Sequence, residues 1–161
     1  MIEKNFEQYR FQNKVVLGLG SNKSLYFKGE TLEPIEILKQ ACLHLSKLFL
    51  PQTFVQSSVY KTKAMYYENQ DDFYNMVVLG EYEGEPENLL KETQKIEAIF
   101  GRNRSKEIPN GPRSLDIDIE LFYDRIIKTA SLTIPHPKMK ERAFVLRPLL
   151  EISPESADPI S

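Results

Sequence analysis

Residues 115–122 read Leu-Asp-Ile-Asp-Ile-Glu-Leu-Phe, apolar and acidic positions in alternation, the period-two pattern of a strand with one buried face. That pattern predicts Leu115, Ile117, Ile119 and Leu121 on the core side and Asp116, Asp118 and Glu120 on the other. Far upstream, residues 14–19 form a short apolar run, a buried strand leading into a turn at Gly18-Leu19-Gly20-Ser21-Asn22. Residues 33–49 repeat at helical spacing, with Ile35, Leu38, Cys42, Leu45 and Phe49 as the apolar stripe and Pro34 suited to the first turn. Residues 54–60 alternate as a strand, 61–72 are a polar loop carrying Met65, Tyr66 and Tyr67, and 73–82 return to strand character. A second helix is expected over 86–100, its stripe Leu89, Thr93, Ile96 and Phe100, closed by Gly101. A basic loop over 102–110 then feeds the acidic strand. After it come a polar hairpin through Asp124 and Arg125, the segment 132–137, and a last helix over 143–152. Residues 1–13 read as a lead-in and 155–161 as a tail.

The order strand, helix, strand, strand, helix, strand is the split βαβ pattern. It predicts an α+β chain with a ferredoxin-like βαββαβ core, an antiparallel sheet with helices packed on it, and a small C-terminal addition. A length of 161 residues fits one domain, taken here as 1–161. Composition adds exclusions. A net charge of −2 argues against a general nucleic-acid binder, and no apolar run of about 18 residues suggests a membrane span. Cys42 is the single cysteine, so no disulfide forms within the chain, which fits a reducing cytoplasm.

The chemistry concentrates around the acidic strand. Asp is a poor strand former, so two of them in mid-strand work against local propensity. Same-face neighbours lie about 6.6 Å apart along a strand, close enough for Asp116 and Asp118 to converge on a pair of divalent cations. Without metal they repel, by on the order of 3 kcal/mol at about 5 Å and an effective dielectric of about 20. Gly111-Pro112-Arg113 delivers a guanidinium just before the acids, and the basic loop is placed to hold an anionic substrate that brings its own metal. His136, between Pro135 and Pro137, reads as a phosphate or ribose contact. Cys42 and His44 sit far away in the first helix as structural residues, leaving no ligand spacing for zinc. Asn75 among apolar neighbours either bonds the backbone or reads the edge of a heterocycle, and Gln94 and Glu97 share a helix face that reads as ordinary surface. Two other classes fit parts of this pattern. One is an RNA-binding module using Arg102, Arg104 and Lys106; the other is an Asp-x-Asp nucleotide-sugar transferase.

Several short motifs occur together and in order. They are Gly20-Ser21-Asn22, Asp72-Phe73-Tyr74-Asn75, Gln94-x-x-Glu97, Gly101-Arg102-x-Arg104, Gly111-Pro112-Arg113-x-x-Asp116-x-Asp118 and Pro135-His136. In this combination the chain, from about Val15 to Pro154, resembles the 6-hydroxymethyl-7,8-dihydropterin pyrophosphokinase family of folate biosynthesis. The resemblance implies an ATP-dependent diphosphotransferase that moves pyrophosphate from ATP to the pterin hydroxymethyl group and releases AMP. It implies two Mg²⁺ ions held by Asp116 and Asp118, with Arg104 and Arg113 joining these acids as the catalytic set. Gln94, Glu97, Arg104, Arg113, Ile119, Thr133, His136 and Arg142 fall at ATP-binding positions, and Thr62, Phe73, Asn75 and Phe144 at pterin-binding positions. The implied partners are these two small molecules, with no nucleic acid and no membrane. Asn110 departs from the tryptophan common in relatives, and the region 62–67 lacks their prolines. The stop soon after Pro154 fits either a compact relative or one domain of a multifunctional folate enzyme.

Overall fold

A computed structural model describes residues 14–63, 70–102 and 111–152. The predicted lead-in 1–13, the tail 155–161, the aromatic-rich part of the first loop with Met65, Tyr66 and Tyr67, and the basic loop with Arg104, Lys106 and Asn110 lie outside the described residues.

Strand β1 (Val15–Ser21) is buried at every position and forms the middle of the molecule. β2 (Leu25–Phe27) and β3 (Glu30–Leu32) make a separate hairpin, followed by α1 (Pro34–Ser46), β4 (Val55–Gln56), β5 (Tyr60–Thr62) and β6 (Phe73–Gly80). Then come α2 (Pro86–Ile99), β7 (Asp116–Phe122), the small β8 (Ile127–Lys128) and β9 (Thr133–Ile134) pair, a 3₁₀ turn (Met139–Glu141) and α3 (Ala143–Ile152). The main sheet runs β4–β6–β1–β7, with β5 also on β6, and every pairing is antiparallel. The fold is therefore mixed α/β, an antiparallel sheet with three α-helices among the described residues.

Two apolar clusters sandwich the sheet. On one face Leu17, Leu19, Ile117 and Ile119 meet Ile37, Leu38 and Leu45 of α1, Leu89 and Ile96 of α2, and Phe100 just past its end. On the other, Val16, Val77, Leu79 and Leu121 meet Met139 and, from α3, Val145 and Leu149. At about 25 cal/mol per Å² these two burials dominate the stability of the fold.

The pattern of the sequence and the structure part company in a few places, each for a local reason. β1 continues through Ser21, because Gly20 and Ser21 pair with Asn75 and Tyr74, so the turn begins at Asn22. The expected strand 54–60 is two short strands instead. Ser57 interrupts it: its N–H bonds Val77 O and its hydroxyl accepts from Val77 N–H, and the chain resumes pairing at Tyr60 and runs to Thr62. In α1 the buried stripe is Ile37, Leu38, Ala41, Cys42 and Leu45, whereas Ile35 sits in the first turn, 41% exposed. The β2–β3 hairpin was not predicted. Its turn places Lys28 and Gly29 at positive φ, the conformation of a tight hairpin turn, and Lys-Gly is a weak signal for it.

The largest departure is in β7. Leu17 pairs with Ile119 and Val16 with Leu121, so Glu120 is an extra residue, a β-bulge. A bulge resets the alternation, and Leu121 accordingly joins the second cluster with Val16 and Val77, not the first with Ile117 and Ile119.

Candidate functional site

The acids Asp116 and Asp118 reach the open end of the sheet face that α3 leaves uncovered, and a cleft of about 650 Å³, counted to its open mouth, begins there. Its floor is backbone at Gly18 and Gly20 of β1, flanked by Asn75 from β6 and by Asp116, Asp118 and Glu120 from β7. Phe73 and Phe144 line it from the sheet and from α3, and Arg113 and Arg142 line it beside the acids. Asn75 is buried and donates from Nδ2 to Thr62 Oγ1 at 2.7 Å, leaving its carbonyl oxygen beside Gly20.

Asp116 is set in place by the end of α2. Gly101 takes φ +83°, its N–H bonds Ala98 O, and Arg102 N–H reaches back to Glu97 O, the paired bonds of a Schellman cap. The usual apolar contact of that motif is replaced here by an ion pair, Arg102 Nη1 to Glu97 Oε2 at 2.8 Å. The same Nη1 lies 2.6 Å from Asp116 Oδ1, and Glu97 Oε2 also accepts the N–H of Ile117 at 2.7 Å. One helix cap thereby fixes a guanidinium and, through it, the first acid of the strand. Arg113 Nη1 approaches Asp116 at 3.9 Å.

Asp118 lies 3.5 Å from Arg142 Nη1 and 3.9 Å from His136 Nε2. Burial first, and the nearby Asp116 second, lift its carboxyl from 3.8 to about 8, with Arg142 opposing. Glu120 is raised well above the ordinary range for the same leading reason. His136 goes the other way, down to about 4, through burial and the positive charge of Arg142. It is therefore a neutral imidazole at pH 7. Its Nδ1 accepts the N–H of Lys138 at 3.2 Å, so the proton sits on Nε2, facing Asp118. The Arg142 guanidinium stacks 5.4 Å from the Phe144 ring, joining the charged and aromatic parts of the cleft.

Asn22, just past β1, ties the segment at Gln70 and Asp71 to Arg113, which lines the cleft. Its Nδ2 donates to Gln70 Oε1 at 2.8 Å and Asp71 O at 2.9 Å; its Oδ1 accepts from Arg113 N–H at 2.9 Å, and its own N–H donates to Arg113 O at 2.9 Å.

Thr62, Phe73, Asn75, Arg113, Asp116, Asp118, Arg142 and Phe144 are thus gathered around one cleft, with His136 at its edge. Thr133 lies half-buried in β9, and Gln94 is exposed on α2, neither of them lining the cleft. Ile119 turns its side chain into the core on the opposite face. Glu97, read from the sequence as helix surface, is 2% exposed, because its carboxylate is drawn under β7 by Arg102 and the Ile117 N–H. Arg104 lies outside the described residues. Sequence reasoning missed the bonding of Asn22 and the placement of Glu120. The adjacent apolar pair Leu121-Phe122, which breaks the alternation, is the signal that could have revealed the bulge. Arg102 has a side chain only 4% exposed, so an RNA surface built on it loses one of its cations. Cys42 is buried, its thiol pushed up to about 12, and His44 packs edge-on against Phe100 at 5.7 Å; both are structural, as expected.

Among the described residues no three His, Cys, Asp or Glu side chains form a closed metal cage. Asp118, whose carboxyl burial and the charge of Asp116 lift to about 8, and Asp116 beside it are a donor set that fits divalent cations completed by water and phosphate oxygens.

An acid pair flanked by arginines beside an aromatic-lined cleft is the donor arrangement of phosphoryl-transfer proteins. The chain belongs to the 7,8-dihydro-6-hydroxymethylpterin-pyrophosphokinase (HPPK) family, whose model matches residues 16–154. It is 38% identical over 146 residues to the 2-amino-4-hydroxy-6-hydroxymethyldihydropteridine pyrophosphokinase of Aquifex aeolicus, covering 91% of this chain and 84% of that protein. To the Helicobacter pylori protein of the same name it is 34% identical over 139 residues, covering 86% and 80%. It is also 40% identical over 149 residues to the folic acid synthesis protein fol1 of Schizosaccharomyces pombe; there it covers 92% of this chain but spans only 19% of the relative's length. No helix of the described residues is long and apolar enough to cross a membrane.

Proposed function

We propose that this chain transfers the β,γ-pyrophosphoryl group of ATP to the hydroxymethyl oxygen of 6-hydroxymethyl-7,8-dihydropterin, giving the pterin diphosphate and AMP for folate synthesis. The observation that carries the reading is the single cleft in which Asp116, Asp118, Arg113 and Arg142 stand at one end and Phe73, Phe144 and Asn75 at the other. Such a cleft suits a triphosphate meeting a flat heterocycle. Two Mg²⁺ ions would be held by Asp116 and Asp118 and would supply charge neutralisation over the triphosphate.

The chain's own residues then do the positioning. Phe73 and Phe144 sandwich the pterin ring, and Asn75, oriented by Thr62, reads its edge. Arg113 and Arg142 pair with phosphate oxygens as forked donors, with Arg104 joining them, and neutral His136 offers its Nε2–H to a phosphate. Thr133, Gln94 and the backbone at Ile119 complete the nucleotide side, while Glu97 serves it indirectly, through Arg102 and Asp116. Little covalent chemistry is required of the protein. The rate comes from holding the hydroxymethyl oxygen in line with the β-phosphorus.

The sheet order β4–β6–β1–β7, with helical crossovers β1–α1–β4 and β6–α2–β7, supports a ferredoxin-like βαββαβ core to which β8, β9, the 3₁₀ turn and α3 are the addition. We read residues 1–161 as one pyrophosphokinase domain working in the cytoplasm. The long fungal fol1 relatives support its fusion to, or association with, another folate enzyme. The deciding experiment is incubation with ATP, Mg²⁺ and the pterin, followed by nucleotide analysis. AMP formed one-for-one with pterin diphosphate is expected. ADP, or no pterin-dependent turnover, would refute the assignment.

A further inference from the structure

Glu120, the bulge residue of β7, is 1% exposed, yet it lines the cleft. Among the described residues neither of its carboxyl oxygens takes part in a hydrogen bond, and Oε2 is fully enclosed without a partner. His136 Nδ1 is 4.0 Å from Oε2, but that nitrogen is itself an acceptor of the Lys138 N–H and has no proton to give. Gly18 makes the space: a Cβ there would stand 2.8 Å from Glu120 Oε1. Its sequence neighbour Leu121 and its fellow cleft-lining residue Val145 both belong to the second apolar cluster, so an apolar chain of equal length would rest here at less cost. A buried, unpaired carboxyl delivered by a bulge and accommodated by a glycine is a group waiting for a donor.

We propose that Glu120 is a specificity-determining residue of the heterocycle site, receiving an N–H donor from the edge of the bicyclic ring held between Phe73 and Phe144. This rests on the pyrophosphokinase reading and adds a contact to it. The position selects the ring over the metals. Asp116 and Asp118 are the residues that would hold the metal ions, whereas Glu120 lies beyond Asp118 along β7. There its carboxyl leans over β1, the floor strand that separates β7 from Asn75 on β6. The amino-pyrimidinone portion of a pterin presents N–H groups in its ring plane, and a carboxyl oxygen accepts such donors. Asn75 and Glu120 then address the ring from opposite edges.

The test compares wild type with Glu120→Met and Glu120→Gln by titration calorimetry. 6-Hydroxymethyl-7,8-dihydropterin is titrated under anaerobic conditions in the presence of Mg²⁺ and a non-hydrolysable ATP analogue. Separate titrations follow Mn²⁺ and the analogue, and thermal melts are recorded without ligand. Removing an unpaired buried acid should leave the melting temperature of Glu120→Met equal or higher. Its pterin affinity should fall about 10- to 100-fold, that of Glu120→Gln less, with Mn²⁺ and nucleotide affinities unchanged. Wild-type pterin affinity in Glu120→Met would overturn the proposal. So would a loss confined to Mn²⁺, which would put the carboxyl in the metal's shell, and so would a lowered melting temperature with all ligands weakened. If the wild-type protein itself bound no pterin, the pyrophosphokinase reading would fall and this contact with it.

Discussion

Asp118 holds its carboxyl 3.5 Å from Arg142 and 3.9 Å from His136, yet burial and the neighbouring Asp116 outweigh these contacts and lift it to about 8. Because the folded value is raised above 3.8, the native state favours the protonated acid. The associated stability is complete below about pH 3.8, and it is lost as pH climbs through 8. Asn at this position cannot ionise. Asp118→Asn should therefore melt at or above the wild-type temperature, its advantage widening between pH 4 and pH 8 and levelling beyond, while turnover is abolished. Melting curves across that range, paired with an AMP assay, check both halves; a mutant that is less stable at every pH would contradict the sign. At this scale the sequence was a good guide. Two acids in a strand are conspicuous because the residue type conflicts with strand propensity. Glu97 was opaque for the converse reason: Glu on a helix is ordinary, and nothing local announces that it is drawn beneath β7.

At the scale of elements, the end of α2 and the bulge in β7 decide where the acids point. The Schellman cap makes Arg102 both the stop of a helix and the clamp on Asp116. Glu97, 2% exposed, holds that guanidinium and the Ile117 N–H with one oxygen. Glu97→Gln keeps the shape and removes the charge, leaving Arg102 a poorer buried partner. A loss of about 3 kcal/mol in urea unfolding is expected, the lower end for breaking a buried pair, with reduced turnover because Asp116 is no longer fixed. A change within about 0.5 kcal/mol, the range of ordinary surface substitutions, would mean the pair is not a structural anchor. Helices and long strands were legible because their periods repeat over several turns or residues. The bulge and the hairpin at Lys28-Gly29 were not, since each depends on one or two backbone angles that side-chain patterning hardly constrains.

For the molecule as a whole, the proposed reaction brings two substrates into one cleft, and the coupling between them is measurable. We expect Mg-ATP to raise affinity for the pterin, and the pterin to raise affinity for Mg-ATP by the same factor, as linkage requires. Calorimetric titrations in both orders, with a non-hydrolysable analogue, test it; equal pterin affinities with and without nucleotide would end the idea. The Asn22 side chain gives this coupling a mechanical form. A single amide holds Gln70 and Asp71 with its nitrogen and Arg113 with its oxygen, so it works as a pivot pin shared by two jaws. Neither jaw can swing away without stripping the pin of part of its bonding, and a jaw that moves takes the pin's preference with it. Backbone amides of 70–72 and those of Gly111 and Arg113 should then exchange with solvent at one common rate. In Asn22→Ala that synchrony should split into two rates, each jaw opening on its own clock.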